Sequence, residues 1–173
     1  GLVLLGIWLH QRDKWLWSAV IFALSALAKE VTLLFVAGYV LYFFSQKQWQ
    51  RGLIFGAVAS IPFLLWQLAL YSMFGEFGVG SGGDLATGFE IIPFMGFFRI
   101  LTEGGADIFL VLGLMIVPFL IVPTLWGLWQ CWKALRTQTW SLMAWLLLLN
   151  ALIMLFVPFS TYREPLGILR FIV

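Results

Sequence analysis

Residues 15–44 read WLWSAVIFALSALAKEVTLLFVAGYVLYFF, a strongly apolar run interrupted at its middle by Lys29-Glu30. A lysine or a carboxylate at the centre of a membrane helix costs ~2.5–3.5 kcal/mol on insertion scales, so such residues face a polar cavity, a partner or a site. Two readings compete. One is a single long helix from 15 to 44 with charge at its core; the other is a hairpin of two apolar arms turning at Lys29-Glu30.

The rest of the chain sets the medium. Apolar residues make up 62% of it and charged residues 10%, and the mean hydropathy is +1.00. Soluble domains carry roughly 25% charged residues. Apolar segments recur at about 1–9, 15–28, 31–44, 53–74, 106–127, 140–159 and from 166 onward. The expected fold is therefore all-α: one polytopic transmembrane bundle over 1–173 with short helices and a re-entrant-like charged hairpin turn. The chain opens at Gly1 inside one apolar run and stops at Val173 inside another. An internal or C-terminal slice of a longer membrane protein is expected. Cys131, the sole cysteine, cannot form an internal disulfide.

Loop charge decides between hairpin and long helix. With a hairpin, the loops at 11–14, 45–52 and 128–139 share one side and hold Arg12, Lys14, Lys47, Arg51, Lys133 and Arg136, with Asp13 as their one acid. The other side then holds Glu30, Glu76, Asp84, Glu90, Glu103, Asp107 and Glu164. A long helix divides the basic residues almost evenly and erases this positive-inside bias. The hairpin wins. Trp8, Trp15, Trp17, Trp49, Trp126, Trp129, Trp132 and Trp140 gather beside the basic loops, as an interfacial belt should, and His10 belongs with them. Each 14-residue arm reaches only ~21 Å against a hydrocarbon core of ~30 Å. A charged turn short of the outer surface calls for a hydrated recess; the plainer alternative is a snorkelling Lys29 paired with Glu30 in an ordinary loop.

The longest polar connection, 75–105, is expected outside the membrane. Its first part, GEFGVGSGGDLATG, is a flexible loop or lid; it lacks the Lys-Ser/Thr and the flanking strand and helix of a phosphate-binding loop. Its second part, FEIIPFMGFFRILTEGG, places Phe94, Phe97, Phe98 and Leu101 at helical spacing and Arg99 and Glu103 four apart on another face. It reads as an amphipathic interfacial helix, either an anchor or a gate with Arg99 near an anionic headgroup. Farther on, Arg163 and Glu164 stand at a membrane boundary and Arg170 lies within the next apolar helix. Arginine suits bidentate phosphate recognition, although both arginines would also serve as ion-pair partners. Asn150 and Gln67 fit interhelical hydrogen bonds. No His/Cys/Asp/Glu set has metal-ligand spacing, and nothing points to nucleic acid.

Ala28-Lys29-Glu30 between apolar arms, followed by Tyr162-Arg163-Glu164-Pro165 leading into Leu169-Arg170-Phe171, resembles the polytopic GT-C glycosyltransferases, in particular the bacterial cell-surface glycopolymer and dolichyl-phosphate-mannose-mannosyltransferase-like members. The resemblance implies sugar transfer from a polyprenyl-phosphate donor to a glycan, lipid or protein acceptor on the outer face of the bacterial cytoplasmic (inner) membrane. It implies a catalytic acid upstream of Gly1, with Lys29, Glu30, Arg163 and Arg170 as supporting residues that line the cavity; Arg99 on the interfacial helix and Glu164 at the boundary join them as substrate-binding residues by their own chemistry and position. Beyond the lipid-phosphate-sugar donor it assigns no cofactor, and it leaves divalent-metal dependence open. A transporter or flippase of a lipid-linked or small anionic solute is the rival class, and a scaffold subunit a third.

Two predictions follow from sequence. In a Cys131-free background, a cysteine at position 83 should react with an impermeant thiol reagent only from outside; labelling only from the cytoplasm overturns the topology. Arg163→Lys and Arg170→Lys keep the charge and lose the fork, so apparent donor affinity should fall about 10-fold if one charge-assisted contact is lost. Unchanged affinity in both would leave these arginines as structural ion-pair partners.

Overall fold

The computed structural model describes residues 1–78 and 88–163, with Arg163 described in its backbone alone. The described residues are helical, with no strand: α1 (Leu2–Gln11), α2 (Trp15–Ala28), α3 (Thr32–Ser45), α4 (Trp49–Phe74), α5 (Met95–Ile116), α6 (Val122–Arg136), α7 (Leu142–Leu155) and α8 (Phe159–Arg163), with a π-helical turn Val117–Ile121 joining α5 to α6. Most of the glycine-rich loop, the charged residues Glu164 and Arg170, and the last apolar segment lie outside the described residues.

Among the described residues, two helical stretches are long and apolar enough to cross a membrane: Trp49–Phe74 and the merged Met95–Arg136. A core helix of a soluble protein with that hydropathy would be mostly buried, whereas only 22% and 17% of their most apolar windows are buried. Their apolar side chains face outward, and together with the composition they point to a membrane protein. α1, α2, α3 and α7 are apolar but shorter, at 10–14 residues.

The backbone falls into two compact units, Gly1–Ser81 with Gln138–Leu149 and Gly82–Thr137 with Asn150–Val173. In the first, α4 packs on both α2 and α3, and α1 packs on α2. The core is aromatic: Tyr39 stacks on Phe55 with ring centroids 4.9 Å apart, and Phe22 meets both rings at 5.1 and 5.9 Å. Small residues let the helices come this close. The ring of Phe22 lies against Gly6, where a Cβ would sit 2.8 Å from the ring, and the Ser18 hydroxyl donates to the Gly6 carbonyl at 2.8 Å. Close packing of small residues and hydroxyl-to-backbone bonds are what hold helices together where the surroundings are as apolar as the side chains.

In the second unit, a core of Phe97, Ile100, Ile116, Leu120, Val157, Phe159 and Tyr162 joins the first turns of α5 to α8. The segment before α5 is strapped down by Phe94 N–H donating to Leu155 O at 2.7 Å and Glu90 N–H to Phe156 O at 3.1 Å. Gly105, at φ 83° and ψ 167°, breaks α5 in a conformation essentially reserved for glycine. The amphipathic helix expected before position 105 and the apolar segment expected after it are the two sides of that break. Pro118 and Pro123 cannot donate to Leu114 and Phe119, and between them the ladder slips to a five-residue step, with Val122 N–H bonding Val117 O.

At the basic ends, guanidinium and ammonium groups lie over tryptophan rings: Arg12 over Trp8 at 4.5 Å, Lys133 over Trp129 at 3.7 Å and Arg136 over Trp132 at 4.9 Å. These are the tryptophans that the sequence places at an interface.

A glycine contrast tests the packing of the second unit. A Cβ at Gly96 would stand 2.8 Å from Val157 O and 3.0 Å from Phe159 N, both backbone, whereas one at Gly38 meets first the flexible tip of Leu146. Gly96→Ala should cost about 1–3 kcal/mol and lower the thermal midpoint in detergent clearly more than Gly38→Ala. Equal midpoints would show that the 96–157 contact is not close.

Candidate functional site

The charged turn is built by its two arms. α2 ends at Ala28 because Lys29 goes extended (φ −152°, ψ 112°), with its N–H still bonded to Ser25 O at 2.8 Å. The chain re-enters a helix at once: Thr32 N–H bonds Lys29 O and Leu33 N–H bonds Glu30 O. Beneath the turn the buried hydroxyls of Ser25 and Thr32 meet at 3.0 Å. Lys29 and Glu30 stand on this clasp and are both exposed. A hairpin, and not one long helix, therefore carries the pair, with arms of 14 residues each.

A second cluster lies on the first half of α5. Arg99 Nη2 donates to Glu103 Oε1 at 2.7 Å and Nε to the same oxygen at 3.2 Å, while Nη1 reaches Glu90 Oε1 at 3.2 Å. The guanidinium also lies 4.9 Å over the Phe159 ring. An arginine guanidinium stays protonated in proteins, so Arg99 is a permanent cation. Glu90 is the more enclosed partner, with 14% of its side chain exposed against 47% for Glu103. One cation between two carboxylates leaves the cluster with net negative charge.

Beside it opens a cavity of about 390 Å³ lined by Ile100, Glu103, Gly104, Ile108, Leu112 and Phe159. Glu103 is its one charged wall and the remainder is apolar or glycine. α5 supplies five of the six residues because 100, 103, 104, 108 and 112 fall on one helical stripe across the break at Gly105.

Of the residues singled out in the sequence, Lys29 and Glu30 lie together in the first unit and Arg99 belongs to the second. Arg163 closes α8, while Glu164 and Arg170 lie outside the described residues. The i,i+4 pairing of Arg99 with Glu103 is visible from spacing alone. Its other partners, Glu90 and Phe159, are not, because the loop before α5 and the start of α8 meet Arg99 only through tertiary packing. Nor did the sequence reading single out Ser25 and Thr32, though hydroxyls flanking a hairpin turn are a usable signal. His10, half-buried, sits edge-on to Tyr39, Tyr42 and Phe43 with ring centroids 4.9–6.2 Å away. Among the described residues no three His, Cys, Asp or Glu side chains are grouped to hold a metal.

No protein-family model, no curated protein and no solved structure matches this chain.

Proposed function

We propose that the protein is part of a polytopic glycosyltransferase of the bacterial cytoplasmic membrane, moving a sugar from a polyprenyl-phosphate donor to an acceptor on the outer face in cell-surface glycan assembly. One observation carries this reading: an exposed Lys29-Glu30 pair on a hairpin whose arms have 14 residues each. Arms of ~21 Å against a hydrocarbon layer of ~30 Å support a turn that stops short of the outer surface, where charged side chains call for a water-filled recess or a partner. Transfer from a lipid phosphate needs a carboxylate to steer or accept the acceptor proton and cations to steady the departing phosphate. In this reading the carboxylate that handles the proton is the catalytic acid upstream, Lys29, Arg163 and Arg170 are the cations, and Glu30 lines the cavity as a supporting residue.

A transporter or flippase is the second reading, favoured by the π-wound turn Val117–Ile121 and the prolines at 118 and 123 that interrupt the helix there. Interrupted membrane helices frame many substrate paths.

The full-length protein in liposomes separates the two. Glu30→Gln should lower sugar transfer at least ~10-fold, the worth of one charge-assisted contact, with membrane abundance unchanged. Full transfer by Glu30→Gln would make the turn an ordinary snorkelling loop. Substrate movement across the bilayer with no glycosylated product would favour the transporter.

A further inference from the structure

α6 divides into two faces. Thr124, Gly127 and Cys131 are buried. Trp126, Trp129, Trp132, Lys133 and Arg136 are all exposed. At 3.6 residues per turn these five fall within about 120° of the helix circumference, on the side away from the buried three. Two cations therefore stand on a ridge of indoles, each over the ring one turn before it: Lys133 Nζ lies 3.7 Å from the centre of the Trp129 ring and Arg136 Cζ 4.9 Å from that of Trp132.

A ring face attracts a cation but brings no countercharge. Neither Lys133 nor Arg136 is in an ion pair among the described residues, and residues 108–163 contain no Asp or Glu. The negative end of the helix dipole, about half a unit charge, answers only part of the two. Arg99 is different, since Glu90 and Glu103 both meet it. On α6 the positive charge is left for a ligand from outside the chain. Side chains three apart on a helix have their Cβ atoms ~5–6 Å from one another, close enough for both cations to reach one phosphodiester.

The rest of the face says what carries that phosphate. One to two turns before the cations, Val122 and Leu125 continue the same side of the helix and are 54% and 51% exposed. The face thus runs from aliphatic through indole to cationic, in the order that acyl chains, glycerol backbone and headgroup follow through half a bilayer. A soluble anion would use only the last part of it. We infer that this face of α6 is a docking site for an anionic phospholipid, phosphatidylglycerol in type, in the leaflet at the C-terminal end of the helix. Lys133 and Arg136 donate to its phosphate, the indoles pack against its glycerol backbone, and Val122 and Leu125 lie along its acyl chains. Net negative charge is decisive, because a zwitterionic headgroup carries its own ammonium and gains little from two more cations.

The test is lipid retention by the full-length protein, read by native mass spectrometry after exposure to an equal mixture of phosphatidylglycerol and phosphatidylcholine with the same acyl chains. Phosphatidylglycerol should be retained roughly 25-fold over phosphatidylcholine, about 5-fold for each cation. Lys133→Gln and Arg136→Gln should each lower that ratio about 5-fold, and the double variant should bring the two lipids level. Lys133→Arg keeps the charge and should keep the preference. Lys14→Gln removes one charge from an exposed residue of another basic loop and should leave the ratio unchanged. Equal retention of both lipids by the unmodified protein overturns the inference, as does an undiminished ratio in the double variant. An equal fall with Lys14→Gln also overturns it, because the attraction would then be a diffuse field of the basic loops and not a site on α6.

Discussion

The buried contact between the Ser25 and Thr32 hydroxyls, 3.0 Å long, is the interaction on which the most informative feature of this chain depends. It ties the last turn of α2 to the first turn of α3 and leaves three residues, Lys29 to Val31, to reverse the chain. Without it the two apolar arms would have only weak dispersion forces to hold their ends together, since lipid tails solvate leucine and valine as well as a neighbouring helix does. A hydroxyl pair in an apolar setting is different, because each member left alone would be a buried unsatisfied group. The turn that carries the charges is closed by polar atoms just beneath it.

The same economy recurs through the first unit. Ser18 bonds the Gly6 carbonyl, and the ring of Phe22 fills the space that the missing Gly6 side chain leaves. Tyr39, Phe55 and Phe22 then close the centre as a group of rings. Small residues set how near the helices come and aromatic rings fill the gap. In the second unit Gly96 plays the small-residue role, with Val157 O and Phe159 N in the place of its Cβ. That approach brings the start of α8, and with it the Phe159 ring, under Arg99.

Charge is arranged by two separate rules. The cations at 12, 133 and 136 rest on tryptophan rings, where an ammonium or guanidinium gains from the ring face while its stem stays among apolar neighbours. Arg99 follows the other rule and is locked between carboxylates. It belongs with the acidic side of the chain, and the anion-receiving gate that its charge and spacing invite is met by a fork already largely occupied.

Much of this was decided by sequence. Helix arms at 15–28 and 31–44 were legible because apolar runs of that length have no other way to satisfy their backbone in an apolar medium, and the turn between them because the basic residues sort to one side only if the chain reverses there. The Arg99–Glu103 pair was legible from its spacing of four. What lay beyond sequence was everything that joins residues far apart along the chain: Glu90 and Phe159 beside Arg99, the strap from Phe94 to Leu155, the approach of Gly96 to Val157, and the cavity over Gly104. The extent of α5 was also beyond it, because the break at Gly105 and the π-turn at Pro118 bend the helix without ending it. Periodicity and charge report what a segment needs from its surroundings. Which distant residue meets that need is a matter of packing, and only the tertiary structure decides it.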